Sequence, residues 1–510
     1  MDIKTLPNVK INCEHIYQDR EMTDPAENVF LTAEVEDMVS FCLALFVLLI
    51  GFLTYGRVVE KVFGPDDRKT PAIEINDGVD CMPMKTWKAL LIQLLNIAGT
   101  GPIFGALMGA CFGPVVFLWI VFGSILGGAV HDFMCGMISE RHKGASIAEL
   151  SGIYLGKPAL YIMRVFSIVL LLLTGTVFVN SPAALIAKLT PDFLGNVFWI
   201  IVILLYYVAA TLLPIDKVIG KLYPVFGVIL IIMAVSIAGA TMILPQYTIP
   251  EISLADLHPD GLPIWPFMFI TVACGAISGF HATQSPMMSK CITSEKAGRT
   301  VFYGAMIIES VIALVWAAAG VAFYGGTQML GQALDSIGQS GVVYDISKQM
   351  LGSVGGILAI IGVVVCPITS GDTAFRSARL ILAEWTGLDQ KKLRNRLIIT
   401  IPLLTIGALL TQIDFDVLWR YFSWSNQTLA MIALWVATAY LVKNNEIKLK
   451  SLITAIPATF MSSVSLTYIL MAPEGFKLSS AVGYPAGIIF AVSLFAVYLV
   501  LSFRKQSKKT

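Results

Sequence analysis

Charged side chains are scarce in this chain of 510 residues: Asp, Glu, Lys and Arg make up 14% of it, and hydrophobic residues make up 56%. A soluble domain carries roughly 25% charged residues, so this scarcity excludes an ordinary soluble protein. The hydrophobic residues form many separate runs of about 20 residues each, which excludes a single anchor or a signal peptide as their explanation. The net charge of +1 gives no indication of nucleic-acid binding.

Paired cysteines are also missing. None of the eight cysteines forms a C-x-x-C motif, and most of them lie inside apolar runs. Buried cysteine usually acts as a small hydrophobic residue. We therefore expect neither a metal site nor a cofactor, and no redox role for these thiols.

The apolar runs, with glycine, proline and charged residues marking their ends, predict an all-α polytopic membrane protein with about 13 transmembrane helices. The predicted spans lie near 38–56, 88–110, 113–137, 157–180, 194–213, 219–244, 264–290, 300–325, 352–375, 396–412, 415–441, 450–471 and 483–503.

Lysine and arginine are nearly absent from every second loop. The loops on one side carry Arg57, Lys61, Arg68, Lys69 and Lys85, then Arg141 and Lys143, Lys217 and Lys221, Lys296 and Arg299, Lys391 to Arg396, Lys443 and Lys448, and Arg504 to Lys509. The loops between spans on the other side carry almost none: Lys188, Lys348 and Lys477. Because positive loops stay in the cytoplasm, we expect a multi-pass protein of the cell (inner) membrane with its N-terminus outside and its C-terminus cytoplasmic.

Two hydrophobic segments are interrupted at a depth where a membrane helix should continue. They are Leu95 to Pro102 (LNIAGTGP) and Cys274 to Pro286 (CGAISGFHATQSP). Non-helical backbone is tolerated at that depth only where protein encloses it, because exposed peptide groups in hydrocarbon are costly. A pair of such breaks in corresponding positions is typical of secondary transporters with inverted repeats. A kink that allows close helix packing is the alternative for each break taken alone.

Counting five spans from each break divides the chain into two units of opposite topology. The predicted segments are a polar external tail, 1–36; an extra first helix and cytoplasmic loop, 37–86; inverted repeat 1, 87–244; an external loop, 245–263; inverted repeat 2, 264–442; and two extra C-terminal helices with a cytoplasmic tail, 443–510. In this arrangement helices 2 and 7 are discontinuous.

The inner half-helices should point their N-termini into the site. Pro102 suits the first turn of one half-helix, and Ser285 followed by Pro286 suggests the N-cap and first turn of the other. Unpaired backbone N–H groups and the helix dipole at such ends favour an anion, most simply a carboxylate.

At these positions the chain resembles a known family. The matching stretches are Asn76 to Asp80 (NDGVD), Gly99 to Pro102 (GTGP), Gly128 to Phe133 (GAVHDF), Ala273 to Ala282 (ACGAISGFHA), and Asn426-Gln427. They are similar to those of the carbon starvation protein A (CstA) peptide transporter family, within the amino acid–polyamine–organocation superfamily. The resemblance implies a 5+5 inverted-repeat (LeuT-like) core and uptake of peptides or pyruvate, with proton coupling in some members.

The expected function is therefore secondary active import of short peptides or a small carboxylate such as pyruvate, by proton or sodium symport with alternating access. The expected partners are this small-molecule substrate and the lipid bilayer; the oligomeric state stays open. The chain is not expected to be an enzyme. The alternatives are an intramembrane metal-binding or redox protein and a channel.

The candidate substrate-binding residues lie at the two breaks and on the eleventh span. They are Asn96, Ala98, Gly99, Thr100, Gly101, Gly275, Ser278, Gly279, His281, Asn426 and Gln427. For the amides, hydrogen bonding between helices is the alternative. For His281, which titrates near neutral pH, it is a role as a hydrogen-bonded core residue.

The candidate coupling and gating residues are polar groups inside other spans: Glu309, Thr369, Ser370, Asp372, His131 and Asp132. An ionisable residue at mid-depth is costly, so Glu309 is a candidate proton carrier, with a structural hydrogen-bonding role as the alternative. The superfamily resemblance places Thr369 and Ser370 where hydroxyls ligate sodium.

Two of these residues are expected to form ion pairs. We expect Asp372 to pair with Arg376, its i,i+4 neighbour. Since His131 and Asp132 are adjacent and point to different faces of a helix, they should not form one chelating pair. Asp132 is expected to pair instead with Arg141 or Arg164.

Overall fold

The computed structural model describes residues 38–76, 81–212, 215–390, 392–444 and 448–504. The predicted external tail, 1–36, and four of the five residues of the NDGVD stretch lie outside these ranges. Within them the protein is helical, with a single isolated β-bridge between Met84 and Ile292. The all-α prediction is therefore confirmed.

The first half of the described chain forms ten helices. They are α1 (Val39–Leu53), α2 (Tyr55–Phe63), α3 (Pro71–Glu74), α4 (Thr86–Ala98), α5 (Gly101–Ala110), α6 (Val115–Arg141), α7 (Ile147–Leu155), α8 (Lys157–Leu189), α9 (Asn196–Leu212) and α10 (Ile215–Ile243). The stretch Trp119–Gly128 inside α6 is π-helical.

The second half forms nine helices, three of them preceded by a π-helical turn. They are α11 (Phe269–Thr271, after the turn Ile264–Met268), α12 (Gly279–Ser289), α13 (Gly304–Tyr324, after Arg299–Tyr303), α14 (Thr327–Ile360), α15 (Cys366–Thr386, after Ile361–Val365), α16 (Leu393–Leu410), α17 (Phe415–Asn444), α18 (Leu452–Met471) and α19 (Ser480–Arg504).

By length and composition, the described residues contain nine helices able to cross a membrane, or up to eleven if each of two bent pairs counts as one span. Two predicted spans have no helix in the described chain that is long enough to cross a membrane by this measure. One corresponds to α9, which has only 17 residues. The other corresponds to the broken element 264–289, whose longest helix has 11 residues. The count of 13 and the division into two inverted repeats stay predictions.

Burial divides these helices into an inner and an outer set. In α6 and in the segment Glu295–Tyr324, 83% of the most apolar 18 residues are buried, against 28% in Val39–Phe63 and 22% in Ser480–Ser502. A membrane helix surrounded by protein loses its lipid-facing surface. The inner helices therefore form the core that holds the two breaks, and the first and last helices lie at the periphery.

Candidate functional site

The first predicted break is present between α4 and α5. The two helices meet at an angle of 50° across Gly99 and Thr100. Gly99 has φ +28° and ψ −141°, and a Cβ there would lie 2.5 Å from the ring of Phe178. Only glycine allows this turn under the ring. Pro102 stands in the first turn of α5, as predicted.

The second break covers residues 272–278, between α11 and α12. The prediction that Ser285 and Pro286 begin the inner half-helix is wrong. The half-helix begins at Gly279, so His281 lies in its first turn and Pro286 lies inside it. The loss of helical structure follows from Gly275, at φ +92°, rather than from the proline.

The two breaks touch each other through small residues. A Cβ on Gly101 would lie 2.5 Å from the side chain of Cys274, and one on Gly275 would lie 2.4 Å from Ala313. Ala98, Thr100 and Ser278 are fully buried beside them. Two unwound segments from distant parts of the chain therefore meet inside the bundle, where neither is exposed to lipid.

The first break leaves polar side-chain atoms unpaired. Within the described residues, no hydrogen-bond partner is present for Asn96 Oδ1 or Thr100 Oγ1, and both residues are buried. Thr100 is the N-cap residue of α5, yet its side chain makes no capping bond. Buried polar atoms are normally paired. This break therefore has spare hydrogen-bonding capacity.

The second break is braced by α17. Asn426 Oδ1 accepts a hydrogen bond from the backbone N–H of Phe280 at 2.6 Å, and its amide nitrogen lies 3.0 Å from Ser278 Oγ. Gln427 donates to the carbonyl oxygen of Phe269 at 2.9 Å. Both predicted substrate ligands on α17 are thus engaged with the backbone at the two ends of the break. This agrees with the alternative of hydrogen bonding between helices.

A buried cluster of imidazoles and carboxyl groups lies directly beside the second break. Asp132 Oδ1 is 2.8 Å from Nδ1 of His131, and Asp132 Oδ2 is 2.8 Å from Nδ1 of His281. On its other side, Nε2 of His281 lies 3.3 Å from Oε2 of Glu309. All four side chains have no exposed surface. Sequence spacing alone hides this cluster, because its members come from α6, α12 and α13.

The predicted pairing of Asp132 with an arginine is wrong. Arg141 binds Glu295 through two hydrogen bonds of 2.8 Å, and Arg164 lies 3.3 Å from Glu384. These two arginines lie toward the ends of their helices, whereas Asp132 is a full turn or more deeper in α6. The two histidines are nearer, and they occupy both carboxylate oxygens. The structure also places His131 Nδ1 against Asp132 Oδ1, and the expectation that the two do not form one chelating pair stays a prediction.

Arg141 is itself a junction between distant segments. It donates to Tyr440 Oη at 2.9 Å and to the carbonyl oxygen of Gly64 at 2.7 Å. Its guanidinium lies 4.0 Å above the ring of Phe63. Nearby, hydrogen bonds from Arg68 lower the pKa of Asp66. The first two helices are thereby attached to α6 and α17.

Cys274 completes the surroundings of His281. Its Sγ, a nitrogen of His281 and a carboxylate oxygen of Glu309 all lie within 4.8 Å of one another. Such a spacing admits a metal ion. However, both nitrogens of His281 face carboxylate oxygens, and Sγ lies 3.4 Å from Ser278 Oγ. Both oxygens of Asp132 thus face imidazole nitrogens, whereas His281 Nε2 and both oxygens of Glu309 have no hydrogen-bond partner among the described residues.

The polar cluster on α15 reaches the first break. Ser370 Oγ donates to the carbonyl oxygen of Leu95 in the last turn of α4 at 2.9 Å, and Thr369 Oγ1 donates to that of Cys366. Asp372 and Arg376 form the predicted i,i+4 ion pair at 3.3 Å. Their sodium-binding and gating roles stay predictions.

Two clefts approach the breaks from opposite ends of the bundle. One, of about 340 Å³, is lined by Lys143, Glu149, Thr283, Lys290, Ser377 and Glu384. The pKa of Glu149 is raised, chiefly by burial and further by the nearby carboxylate of Glu384. The other cleft, of about 370 Å³, is lined by Asn180, Ser181, Lys188, Asp335, Ser340 and Asp416.

An aromatic layer lies between these clefts. The ring of Phe178 packs edge-on against Phe280 at 6.0 Å and lies 6.4 Å from Phe422. Phe178 belongs to α8, two residues before the cleft residue Asn180. Phe280 belongs to α12, three residues before the cleft residue Thr283. The two rings therefore lie beside Gly99 of the first break, between residues that line the two clefts.

Sequence reasoning missed several residues of this region. Gln93 donates to Ser285 Oγ at 3.2 Å, Phe178 covers Gly99, and Tyr223 donates to the carbonyl oxygen of Thr369 at 3.2 Å. Gln93 could have been identified from the sequence as a polar residue of the site, because it is an amide inside an apolar helix. Phe178 and Tyr223 carried none, since aromatic residues are common in membrane helices.

Comparison with known proteins gives matches over most of the chain. The sequence model of the family described as carbon starvation protein CstA matches residues 36–191, 186–323 and 321–468. A membrane protein of Haemophilus influenzae is 43% identical over 351 residues, covering 59% of this chain and 95% of its own. The peptide transporter CstA of Campylobacter jejuni is 26% identical over 583 residues, covering 87% and 82%.

A further relative is the pyruvate/proton symporter BtsT of Escherichia coli, which is 28% identical over 337 residues, covering 53% of this chain and 47% of its own. Among solved structures, a mutant of the manganese transporter of Eremococcus coleocola has a TM-score of 0.48 at 13% identity, covering 82% and 94%. MhsT in complex with L-phenylalanine has a TM-score of 0.48 at 14% identity, covering 82% and 98%.

Proposed function

Since this chain belongs to the carbon starvation protein CstA family, we propose that it is a secondary active transporter that imports a small carboxylate such as pyruvate, or short peptides, together with protons. The observation that carries the proposal is the meeting of two broken helices inside the bundle, one of which has unpaired polar atoms. Irregular backbone at membrane depth is typical of transporter binding sites.

The carboxylate is the group that pyruvate and peptides share, and the N-terminus of α5 suits it. The helix dipole and the N–H of Gly101 attract an anion, whereas Pro102 has no N–H and that of Ile103 donates to the carbonyl oxygen of Thr100. Thr100 Oγ1 and the amide of Asn96, which can also donate, supply hydrogen bonds beside that end. The corresponding end of α12 is less available, because Asn426 already accepts from its first turn. We therefore assign substrate recognition to Asn96 and the backbone of residues 98–101.

Alternating access fits the arrangement of the two clefts. Neither cleft lining includes a residue of the first break. Movement of Phe178 and α8 would join the break to the Asn180 cleft, and movement of α12 would join it to the Thr283 cleft. A transporter needs two such paths that open in turn.

Direction follows from the charge of the loops. The Thr283 cleft lies at the end that carries Lys143 and Lys290, and the positive side of a membrane protein faces the cytoplasm. We therefore propose that the protein lies in the cell membrane with its N-terminus outside and its C-terminus cytoplasmic. Substrate then enters through the Asn180 cleft and leaves through the Thr283 cleft.

Uptake into proteoliposomes tests this function. Labelled pyruvate and labelled dialanine are offered separately, with an inward proton gradient, an inward sodium gradient or none. We expect accumulation of one substrate under the proton gradient and only equilibration without it. Accumulation under sodium alone would reject proton coupling and direct attention to Thr369 and Ser370. If neither substrate enters under any gradient, the proposed substrates are wrong.

A further inference from the structure

One close approach in the buried cluster beside the second break has no hydrogen bond: His281 Nε2 and both carboxyl oxygens of Glu309 lack a partner among the described residues. Nδ1 of His281 faces the carboxylate of Asp132 at 2.8 Å, so that nitrogen carries the hydrogen and donates it. A neutral ring would then turn the lone pair of Nε2 toward Glu309 Oε2, which is 3.3 Å away. Two facing lone pairs repel each other. A hydrogen between them makes the same contact attractive.

The charge of the cluster also favours an added proton. Asp132 accepts from Nδ1 of His131 as well as from His281, which fits an ionised carboxylate with a hydrogen bond on each oxygen. If Glu309 were also ionised and both rings neutral, two negative charges would lie where no side-chain surface reaches solvent. Buried charges without a compensating partner are strongly unfavourable.

The cluster connects a broken helix to two continuous ones. His281 stands in the first turn of α12, directly after the unwound segment 272–278, whereas Asp132 lies on α6 and Glu309 on α13. The break interrupts the backbone hydrogen bonds between α12 and its preceding half, so α12 can turn about the His281–Asp132 contact without bending a continuous helix. Such a turn changes the distance between His281 and Glu309.

Building on the function proposed above, we propose that the coupling proton is held between His281 and Glu309, and that its presence sets the position of α12. Binding places one hydrogen between Nε2 and Oε2 and joins α12 to α13. Release leaves a neutral ring opposite a carboxylate, and the two helices separate. Asp132 and His131 are positioning residues, because they fix the Nδ1 side of the ring.

The position of α12 matters for transport because this half-helix forms part of both the site and a cleft. Its first turn packs Phe280 against Phe178 over the first break, and its later residues Thr283 and Pro286 line the cytoplasmic cleft. Loss of the proton therefore opens the substrate site toward that cleft. The ionisable groups around the contact are Asp132, His131 and Cys135 from α6 and Cys274 from the second break.

Two assays on proteoliposomes separate coupling from transport itself. Counterflow measures exchange of labelled for unlabelled pyruvate without a proton gradient, and driven uptake measures accumulation with one. For Glu309→Gln and His281→Gln we expect counterflow to continue while driven accumulation falls at least about tenfold. Their residual uptake should not change across about pH 5 to 8. The matched controls are Glu74→Gln and His258→Gln, which change the same residue types far from the cluster.

Infrared spectroscopy tests the proton directly and does not depend on the substrate. We expect a band from a protonated, buried carboxyl group that is lost in Glu309→Gln, shifted in His281→Gln and unchanged in both controls. Thermal unfolding of each purified variant shows that it is folded. If native protein moves neither pyruvate nor dialanine, the proposed function fails while this measurement still decides the proton site.

Three results would overturn the inference. The first is driven accumulation with a native pH profile in either glutamine variant. The second is a set of carboxyl bands that is the same in Glu309→Gln as in the native protein. The third is stoichiometric zinc in the purified native protein that is lost in Cys274→Ser, because the same atoms would then bind a metal ion instead of a proton.

Discussion

The two helix breaks look alike in sequence and differ in how their polar groups are used. At the first break, between α4 and α5, Asn96 Oδ1 and Thr100 Oγ1 lack partners among the described residues. At the second, Asn426 and Gln427 bond the backbone on both sides of the unwound segment, and His281 faces two carboxyl groups. The first break leaves side-chain oxygens beside its unwound segment unpaired, whereas α17 holds the backbone on both sides of the second, where Gln427 Oε1 and His281 Nε2 also lack partners among the described residues.

This difference fits the two proposed roles, with substrate binding at the first break and proton coupling at the second. A substrate must bind and leave, so its site needs polar atoms that the protein does not already satisfy. A coupling ion must change the balance between two conformations, so its site needs contacts between helices that move relative to one another. The first break meets the first need, and the second break meets the second.

The largest expected effect comes from Gly279→Ala at the braced break. The new Cβ would lie 2.2 Å from the backbone oxygen of Asn426, and α17 has no room to retreat. We expect a loss of about 3 kcal/mol in stability and no uptake. The control is Gly239→Ala, where nothing lies within 4 Å of the new Cβ. Equal melting temperatures for the two variants would show that this close packing does not matter.

The next largest loss of stability is expected for Asn426→Ala, which removes the hydrogen-bond acceptor that α17 offers to the second break. It leaves the N–H of Phe280 buried without a partner, at a cost of about 2 kcal/mol. Thermal unfolding in detergent should show the loss. Asn444→Ala, near the end of the same helix, removes an exposed amide that bonds the carbonyl oxygen of Tyr440 and the side chain of Tyr154, and should change little. A native melting temperature for Asn426→Ala would contradict the bracing role.

A smaller and opposite result is expected for Thr100→Val at the first break. The valine has the same shape and removes a buried hydroxyl that has no partner among the described residues, so stability should stay the same or rise by about 1 kcal/mol. The KM for the transported substrate should rise about tenfold, which is about 1.4 kcal/mol. Thr405→Val, on the exposed face of α16, is the control for both measurements. An unchanged KM would remove Thr100 from the site.

The smallest effect is expected for Ser370→Ala. It deletes the hydrogen bond to the carbonyl oxygen of Leu95, worth about 1 kcal/mol. If protons drive transport, the dependence on sodium should be as weak in this variant as in the native protein. Ser493→Ala, on an exposed face of α19, is the control. A sodium requirement that disappears only in Ser370→Ala would identify a sodium site instead.

Much of the fold could be predicted because it follows from local sequence. Hydrophobic runs predict the helices, and Gly99 and Gly275 predict the breaks, since both positions need a backbone that other residues rarely adopt. Gly101 is helical and instead leaves room for the side chain of Cys274. The ion pair of Asp372 and Arg376 could also be predicted, because its two residues are four positions apart on one helix. The start of α12 was misplaced, because proline was given more weight than the glycine at 275.

The partners of Asp132 could not be predicted, because they depend on how α6, α12 and α13 pack. A carboxylate inside a helix has many arginines within a plausible distance along the sequence, and only the packed bundle shows that His281 is closer. The engagement of Asn426 and Gln427 was hidden for the same reason. Sequence identifies a polar residue at membrane depth, whereas its partner comes from a helix more than a hundred residues away.

The attachment of Arg141 has a mechanical consequence. This one side chain holds Glu295 just before the π-helical turn that leads into α13, Tyr440 on α17 and the carbonyl oxygen of Gly64 at the end of α2. Four segments pinned at one point cannot spread apart there. An opening of the neighbouring cleft beside Lys143 and Lys290 that preserves these bonds has to turn about this point.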